Sequence, residues 1–183
     1  GLPPLSATLY PRPVFTDAQH TAQETALRQT NYAQPALGVF SASTYKMAQQ
    51  AGFHADFAVG HSFGELTALW AGGVLNDADY LMLVRARGQA MAPPADPQFD
   101  AGTMLAVSGS FDVRTLQADI HGFAGVTIAN WNSPAQIVLA GPTAAIQQAQ
   151  QALQSKGYTV QALPVSAAFH TPLVEHAQRP FAR

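Results

Sequence analysis

Five residues constrain this chain more than any others: Gly60-His61-Ser62-Phe63-Gly64, a G-x-S-x-G pattern. A short apolar run, Ala55–Val59 (ADFAV), precedes it and reads as a buried strand. A helical pattern, Glu65–Ala71, follows it and stops at Gly72-Gly73. A strand that ends, turns sharply and feeds a helix presents its serine at the tip of the turn in a strained conformation. Glycines on both sides are expected to remove Cβ atoms that would clash in so tight a turn. The serine then lies at a helix N-terminus, where the dipole and free N–H groups favour a developing negative charge. Ser62 is therefore the expected nucleophile, with the backbone N–H of Phe63 as the oxyanion donor. A helix-capping serine in a glycine-flanked turn would share the pattern; the strand and helix around it favour the nucleophile.

A serine nucleophile needs a general base, and the chain offers His20, His54, His61, His121, His170 and His176. His20 and His54 fall beside predicted helix ends, and His121 follows a predicted helix, all surface or capping positions. His61 adjoins Ser62 but is expected to point away from it, which suits a supporting role. His170 and His176 both follow the last predicted strand, and spacing prefers His170 only slightly.

Along the chain, Gly1–Pro13 carries four prolines and reads as an extended surface segment. Helices are predicted over Ala18–Gln29, Gln34–Ala51 (with Pro35 in its first turn) and Ala78–Met91 (capped by Asn76-Asp77). After Pro93-Pro94 and Pro97 the pattern changes. Strands are predicted at Thr103–Ser108, Val126–Trp131, Gln136–Ala140 and Tyr158–Val165, and helices at Asp112–Ile120 and Thr143–Lys156. That order, β-α-β-β-α-β, is the split pattern of a ferredoxin-like unit. The fold class is thus α/β: a hydrolase-like parallel-sheet core over 1–98, a ferredoxin-like small subdomain over 99–164, and a return to the core over 165–183 with a histidine loop.

Charge narrows the function. Only 11% of residues are charged and the net charge is −2, against about 25% charged in ordinary domains. A surface so poor in charge suits contact with neighbouring protein. No basic run exists to neutralise phosphates, so nucleic acid is not an expected partner. The absence of cysteine removes a thiolate nucleophile and a cysteine-based metal site, and no metal is expected. No apolar run reaches the ~18–20 residues of a membrane span. With no signal-peptide pattern, the protein is expected to be cytoplasmic.

Four segments in order resemble the malonyl-CoA:acyl carrier protein transacylase family, which includes acyltransferase domains of polyketide and polyunsaturated fatty acid synthases. Gly60-His61-Ser62-Phe63-Gly64-Glu65 is similar to its G-H-S-x-G-E signature, and Arg87-Gly88-Gln89-Ala90-Met91 to its R-G-x-x-M. Asn130-Trp131-Asn132-Ser133-Pro134 with Gln136-Ile137-Val138 resembles N-x-N-S-P-x-Q-x-V, and Val165–Pro172 (VSAAFHTP) resembles V-S-x-A-F-H-[ST]-P. The resemblance implies transfer of a malonyl group from malonyl-CoA, through an acyl-serine, to the phosphopantetheine thiol of an acyl carrier protein. It implies Ser62 as the acylated residue, His170 as base, Arg87 as the clamp on the malonyl carboxylate, His61 as pocket support, and Gln34 near the site floor. Asn130 and Asn132 join the substrate-binding set through their motif. Phe169 goes with malonyl rather than branched units, its ring filling the space of an α-methyl. No bound cofactor is implied; coenzyme A enters as a substrate thioester. The partners implied are malonyl-CoA, the carrier protein and neighbouring synthase domains.

Arg87 also stands out by pattern. Tyr80, Leu83, Val84, Arg87 and Met91 share one helix face, apolar but for the arginine. Such an arginine needs an anionic partner. On pattern alone an internal salt bridge, with Glu65 as candidate partner, is the simpler account; a dicarboxylic acyl group would serve through a bidentate pair.

The chain departs from the family at both ends. No G-Q-G-x-Q-like segment, whose glutamine contributes to the oxyanion hole, precedes Gln34, and about a hundred further residues are expected beyond the histidine motif. The reading is a chain truncated at both ends, weakly active or prone to associate, since losing one oxyanion donor costs ~10²–10³ in rate. Two alternatives stay open: a serine acyl hydrolase or thioesterase, which would not need Arg87, and a catalytically weak structural fragment of a larger synthase.

Overall fold

A computed structural model describes residues 4–96 and 98–182. The chain divides into two compact units, residues 1–92 with 180–183, and residues 93–179.

The first unit is helical. Helix α1 spans Leu5–Leu9, α2 Asp17–Arg28, α3 Thr30–Gln50, α4 Gly64–Ala71 and α5 Asp77–Ala90. The caps follow the sequence: Thr16 accepts from the Gln19 N–H at the start of α2, and Asn76 from the Asp79 N–H at the start of α5. Three expectations change. The segment expected to be extended forms α1; its residues 1–3 lie outside the described set. Helix α3 starts four residues earlier than predicted, so Pro35 sits inside it. Its missing N–H removes a bond to the carbonyl four residues back. Ala55–Val59 is not a buried strand: no ladder partner exists for it among the described residues, and Phe57 and Val59 are 90% and 93% exposed. A strand is defined by its pairing, and apolar composition alone cannot supply a neighbour. The expected parallel-sheet core is therefore not formed by the described residues, whose only sheet is antiparallel.

The second unit carries that sheet. Strands β1 (Thr103–Ser108), β2 (Thr127–Ser133), β3 (Gln136–Gly141) and β4 (Thr159–Ala162) lie in the order β2-β3-β1-β4. Helix α6 (Val113–Ile120) follows β1, and α7 (Thr143–Ser155) follows β3. The period-2 alternation of β1 splits its side chains cleanly. Leu105 and Val107 join Ile137 and Leu139 of β3 under Leu116 and Ile120 of α6 and Ile146 and Leu153 of α7. Met104, Val138 and Ala140 point to the other face, opposite α6 and α7. There the chain after β4 covers them with Ala168, Leu163, Val165, Phe169 and Leu173. Residues 165–179 thus stay with the sheet, where a return to the core at residue 165 was expected: Ala168 is wholly buried against β1 and β3 and its N–H donates to the Ala101 carbonyl at 2.8 Å. A short 3-10 helix, Pro172–Ala177, and α8, Gln178–Phe181, end the described chain.

Candidate active site

Ser62 lies on the first unit. Its φ is +55°, one of two positive values among the described non-glycine residues. Left-handed backbone costs a residue with a Cβ about 1 kcal/mol or more and persists only where the surroundings enforce it. Gly60 provides that enforcement. A Cβ there would lie 2.0 Å from the Gly64 carbonyl oxygen and 2.3 Å from the Glu65 nitrogen, so the turn closes this tightly only with glycine. Gly64 differs from expectation: a Cβ there would meet nothing within 4 Å. One glycine of the pair is sterically required, not both.

Past the turn, the N–H of Gly64 donates to the His61 carbonyl at 3.0 Å and that of Glu65 to the Ser62 carbonyl at 3.2 Å. These bonds open α4. The Phe63 N–H falls between them, on the residue that precedes the helix in αR conformation, where helix N-termini hold unused donors. The His61 residue is exposed.

Arg87 and Gln34 join Ser62. The Arg87 Nη1 donates to Gln34 Oε1 at 2.8 Å, and Nη2 donates to Ser62 Oγ at 3.4 Å. The Phe63 ring faces the same guanidinium, its centroid 5.9 Å from Cζ. No ion pair to Arg87 occurs among the described residues, so the simpler salt-bridge account is set aside. Partial burial lowers the guanidinium's pKa from its ordinary value, while the charge of Glu65 raises it. An arginine remains cationic through such shifts. The site thus holds a half-buried cation beside a strained serine hydroxyl.

His170 lies on the second unit. It has the other positive φ, +62°, and its side chain is exposed. Phe169 beside it packs partly buried on the face of the sheet opposite α6 and α7. The loop is tied on both sides of the histidine. The Phe169 N–H donates to the Ala167 carbonyl at 3.1 Å. The buried Thr171 hydroxyl donates to the Ala168 carbonyl at 2.6 Å and accepts from the Leu173 N–H at 3.2 Å. Thr171 is the residue that sequence reasoning missed. Its signal was present, since threonine before proline at the start of a helical turn is a cap.

Asn130 and Asn132 lie on β2. Asn130 is half-buried opposite Val138, between two register irregularities. Asn132 is exposed, and its Nδ2 donates to Gln136 Oε1 across the hairpin at 3.0 Å. The structure therefore brings Ser62, Phe63, Arg87 and Gln34 together on one unit and sets His170, Phe169 and the two asparagines on the other. Among the described residues no group of three or more His, Asp or Glu could hold a metal ion. No described helix is long and apolar enough to cross a membrane.

A strained serine after a tight glycine, aimed at a cation and opening a helix, defines an acyl-transfer class of site. Residues 15–183 match the acyl transferase domain model, and the chain belongs to that family. It is 41% identical over 161 residues to the polyketide biosynthesis protein ThaF of Burkholderia thailandensis, covering 86% of this chain and 13% of that protein. It is 33% identical over 160 residues to the malonyl CoA-acyl carrier protein transacylase of Synechocystis, covering 87% and 52%. The crystal structure of MCAT from Streptococcus pneumoniae superposes with a TM-score of 0.74 at 36% identity, covering 97% of this chain and 58% of that one. The chain spans about half the length of the transacylase it matches and a small part of the polyketide protein. The α/β fold with a small antiparallel sheet is that of solved acyltransferases.

Proposed function

We propose that this chain carries the site of a malonyl-CoA:acyl carrier protein transacylase. Ser62 Oγ attacks the thioester carbonyl of malonyl-CoA while its proton passes to His170. The resulting oxyanion takes the Phe63 N–H. The carbon–sulfur bond then breaks, and coenzyme A leaves with the proton from His170. Malonyl-Ser62 is next attacked by the carrier's phosphopantetheine thiol, whose proton passes to His170 and returns to Ser62 Oγ. Arg87 pairs with the free malonyl carboxylate. His61 supports the pocket, Asn130 and Asn132 line the substrate path, and Phe169 excludes an α-methyl by filling its space.

The observation that carries this reading is Arg87: a half-buried cation, without a carboxylate partner among the described residues, whose Nη2 reaches Ser62 Oγ at 3.4 Å. Burying an unpaired charge is costly, and a plain esterase has no use for it. An acyl chain ending in a carboxylate supplies the missing anion as a bidentate pair. The finer fold reading goes with it: a ferredoxin-like subdomain, supported by the β2-β3-β1-β4 order, beside a hydrolase-like core. Neighbouring synthase domains and a cytoplasmic setting suit this chemistry and the 11% charged composition.

The test is incubation with labelled malonyl-CoA, with and without a carrier protein, followed by intact mass. A malonyl adduct that is absent in Ser62→Ala and moves to the carrier is the expected result. Rapid release of malonate to water would replace the reading with hydrolysis, and no adduct would overturn it for this chain.

A further inference from the structure

The arginine beside the nucleophile is held by a neutral group. Gln34, near the start of α3, is 6% exposed. Its Oε1 accepts from Arg87 Nη1 at 2.8 Å, and its Nε2 donates to Met91 Sδ at 3.3 Å. A guanidinium only donates, so the amide oxygen must be the end that faces it. The amide nitrogen is left to the thioether, a weak acceptor. Both ends of this buried side chain are therefore engaged within the protein.

The helices are built to permit this reach. A Cβ on Gly38 of α3 would lie 2.7 Å from Val84 of α5, and one on Gly88 of α5 would lie 2.7 Å from the Thr30 carbonyl oxygen. Glycine at both points lets the backbones approach until a short glutamine spans the gap. With Nη1 fixed by Gln34 and the guanidinium facing Phe63, Nη2 is directed at Ser62 Oγ. A glutamate would fit the same volume, but its charge would pair with Arg87 and use up the cation.

Resting on the malonyl reading above, we infer that Gln34 is a positioning residue. It sets the orientation of the Arg87 guanidinium, and its neutrality leaves the arginine's charge available to a substrate carboxylate. It acts through Arg87 and does not touch the substrate.

Two measurements on the full chain test this, with Gln34→Met as a volume-preserving variant and Gln34→Glu as the charged one. The first is side-chain nitrogen NMR of Arg87, assigned with Arg87→Lys. Resolved, slowly rotating Nη resonances are expected in the unmodified chain, collapsing in Gln34→Met. Unchanged Arg87 signals in Gln34→Met overturn the inference, whether or not the chain transfers malonyl. The second is acylation of Ser62 by malonyl-CoA and by acetyl-CoA. Gln34→Met is expected to raise the malonyl KM about tenfold, the scale of one hydrogen bond to a charged group, with acetyl acylation within about twofold. Gln34→Glu, whose carboxylate would pair with Arg87 and be held below the ordinary glutamate range by it, is expected to lose malonyl acylation more severely than Gln34→Met at neutral pH, with acetyl acylation affected less. Equal losses for both acyl groups in both variants would mark a merely structural glutamine and overturn the inference. An unmodified chain with no malonyl preference would overturn the malonyl reading instead, leaving the NMR result to decide the role of Gln34.

Discussion

The two units keep their apolar residues in opposite ways. In the second unit, both faces of the sheet are covered. Leu105, Val107, Leu116, Ile137, Leu139 and Leu153 have essentially no exposure. In the first unit the buried apolar cluster is Trp70, Tyr80 and Val84, while Leu37, Phe40, Met47, Phe53, Phe57, Val59, Leu69 and Val74 stand open. Among the described residues, Trp131 is the exception on the second unit, at 55%. An open groove of about 590 Å³ runs along Asp56–Gly60 and beside Leu69 and Val74. One unit is held by packing on both faces of its sheet; the other has a smaller apolar cluster and, at the serine, a backbone turn forced by a single glycine. The strained serine turn depends on local backbone sterics, the histidine loop on a packed sheet.

The sharpest test of that difference is Gly60→Ala. The added Cβ would overlap the Gly64 carbonyl, which is backbone and cannot move aside. Ser62 would be displaced, and an error near 1 Å costs about a hundredfold in rate. Malonyl adduct formation is expected to fall at least that far, while the circular dichroism of the sheet persists. Gly64→Ala, with open space around it, is expected to retain acylation within about threefold and to gain up to about 1 kcal/mol of helix stability. Equal loss in both variants would break the claim that one glycine carries the turn. Next in size is Leu139→Ala, which should cost about 2–5 kcal/mol in denaturant unfolding. Phe57→Ser in the first unit should change stability by no more than about 0.5 kcal/mol. A large loss for Phe57→Ser would show that the open segment is buried after all.

Arg87→Ala is smaller in its effect on the molecule and more specific in its effect on the chemistry. It should lower acylation by malonyl-CoA by about tenfold or more, leave acetyl-CoA nearly untouched, and shift unfolding little. Unchanged discrimination between the two would remove Arg87 as the clamp.

What could be read in the sequence follows the same divide. The β-α-β-β-α-β order of the second unit was legible because each element's partner lies within the chain, so periodicity and burial agree. Asp112 caps α6, accepting from the Thr115 N–H, and Gly157 with positive φ follows α7, within a residue of the predicted ends. The segment 55–59 was misread because apolar composition signals a strand's suitability, not the presence of a neighbour. On the first unit, pattern and motif singled out Ser62, Phe63 and Arg87, which lie close together; His170, expected as the base, lies on the second unit. The grip of Gln34 on Arg87 was not legible, since it links residues 53 apart in sequence on two helices whose crossing depends on glycines. Gly88 was the available clue: glycine inside a helix costs about 1 kcal/mol and is kept where another backbone comes close. Thr171 was hidden by the histidine next to it.

Acid separates the units through the smallest of the expected effects. Asp100 reaches across to the start of α7, where Pro142 offers no capping side chain. Its carboxylate accepts from the Thr143 hydroxyl at 2.6 Å and N–H at 2.8 Å, and from the Gly102 N–H at 2.9 Å. Those bonds, the Thr143 hydroxyl first, hold its pKa below the ordinary carboxylate value. Asp112, bonded by the Thr115 N–H, and Asp119, bonded by Lys156, are lowered likewise. On the first unit Asp77, bonded by Lys46, is lowered too. A carboxyl depressed in the folded state stabilises fully above its unfolded pKa, about 3.9, and that contribution is lost as pH falls through the folded value. The second unit, with three such groups to one, should weaken first as pH drops below about 4. Trp70 and Trp131 give each unit one reporter, so Trp70→Phe and Trp131→Phe yield single-tryptophan chains whose melts can be followed from neutral pH to about 3. The Trp131 transition should fall further than the Trp70 transition. Asp100→Ala should cost about 1 kcal/mol at neutral pH, as lost helix caps do, and should flatten the acid dependence of the Trp131 melt. If Asp100→Ala leaves that dependence unchanged, the second unit's acid sensitivity lies elsewhere, and the capping role assigned to Asp100 is wrong.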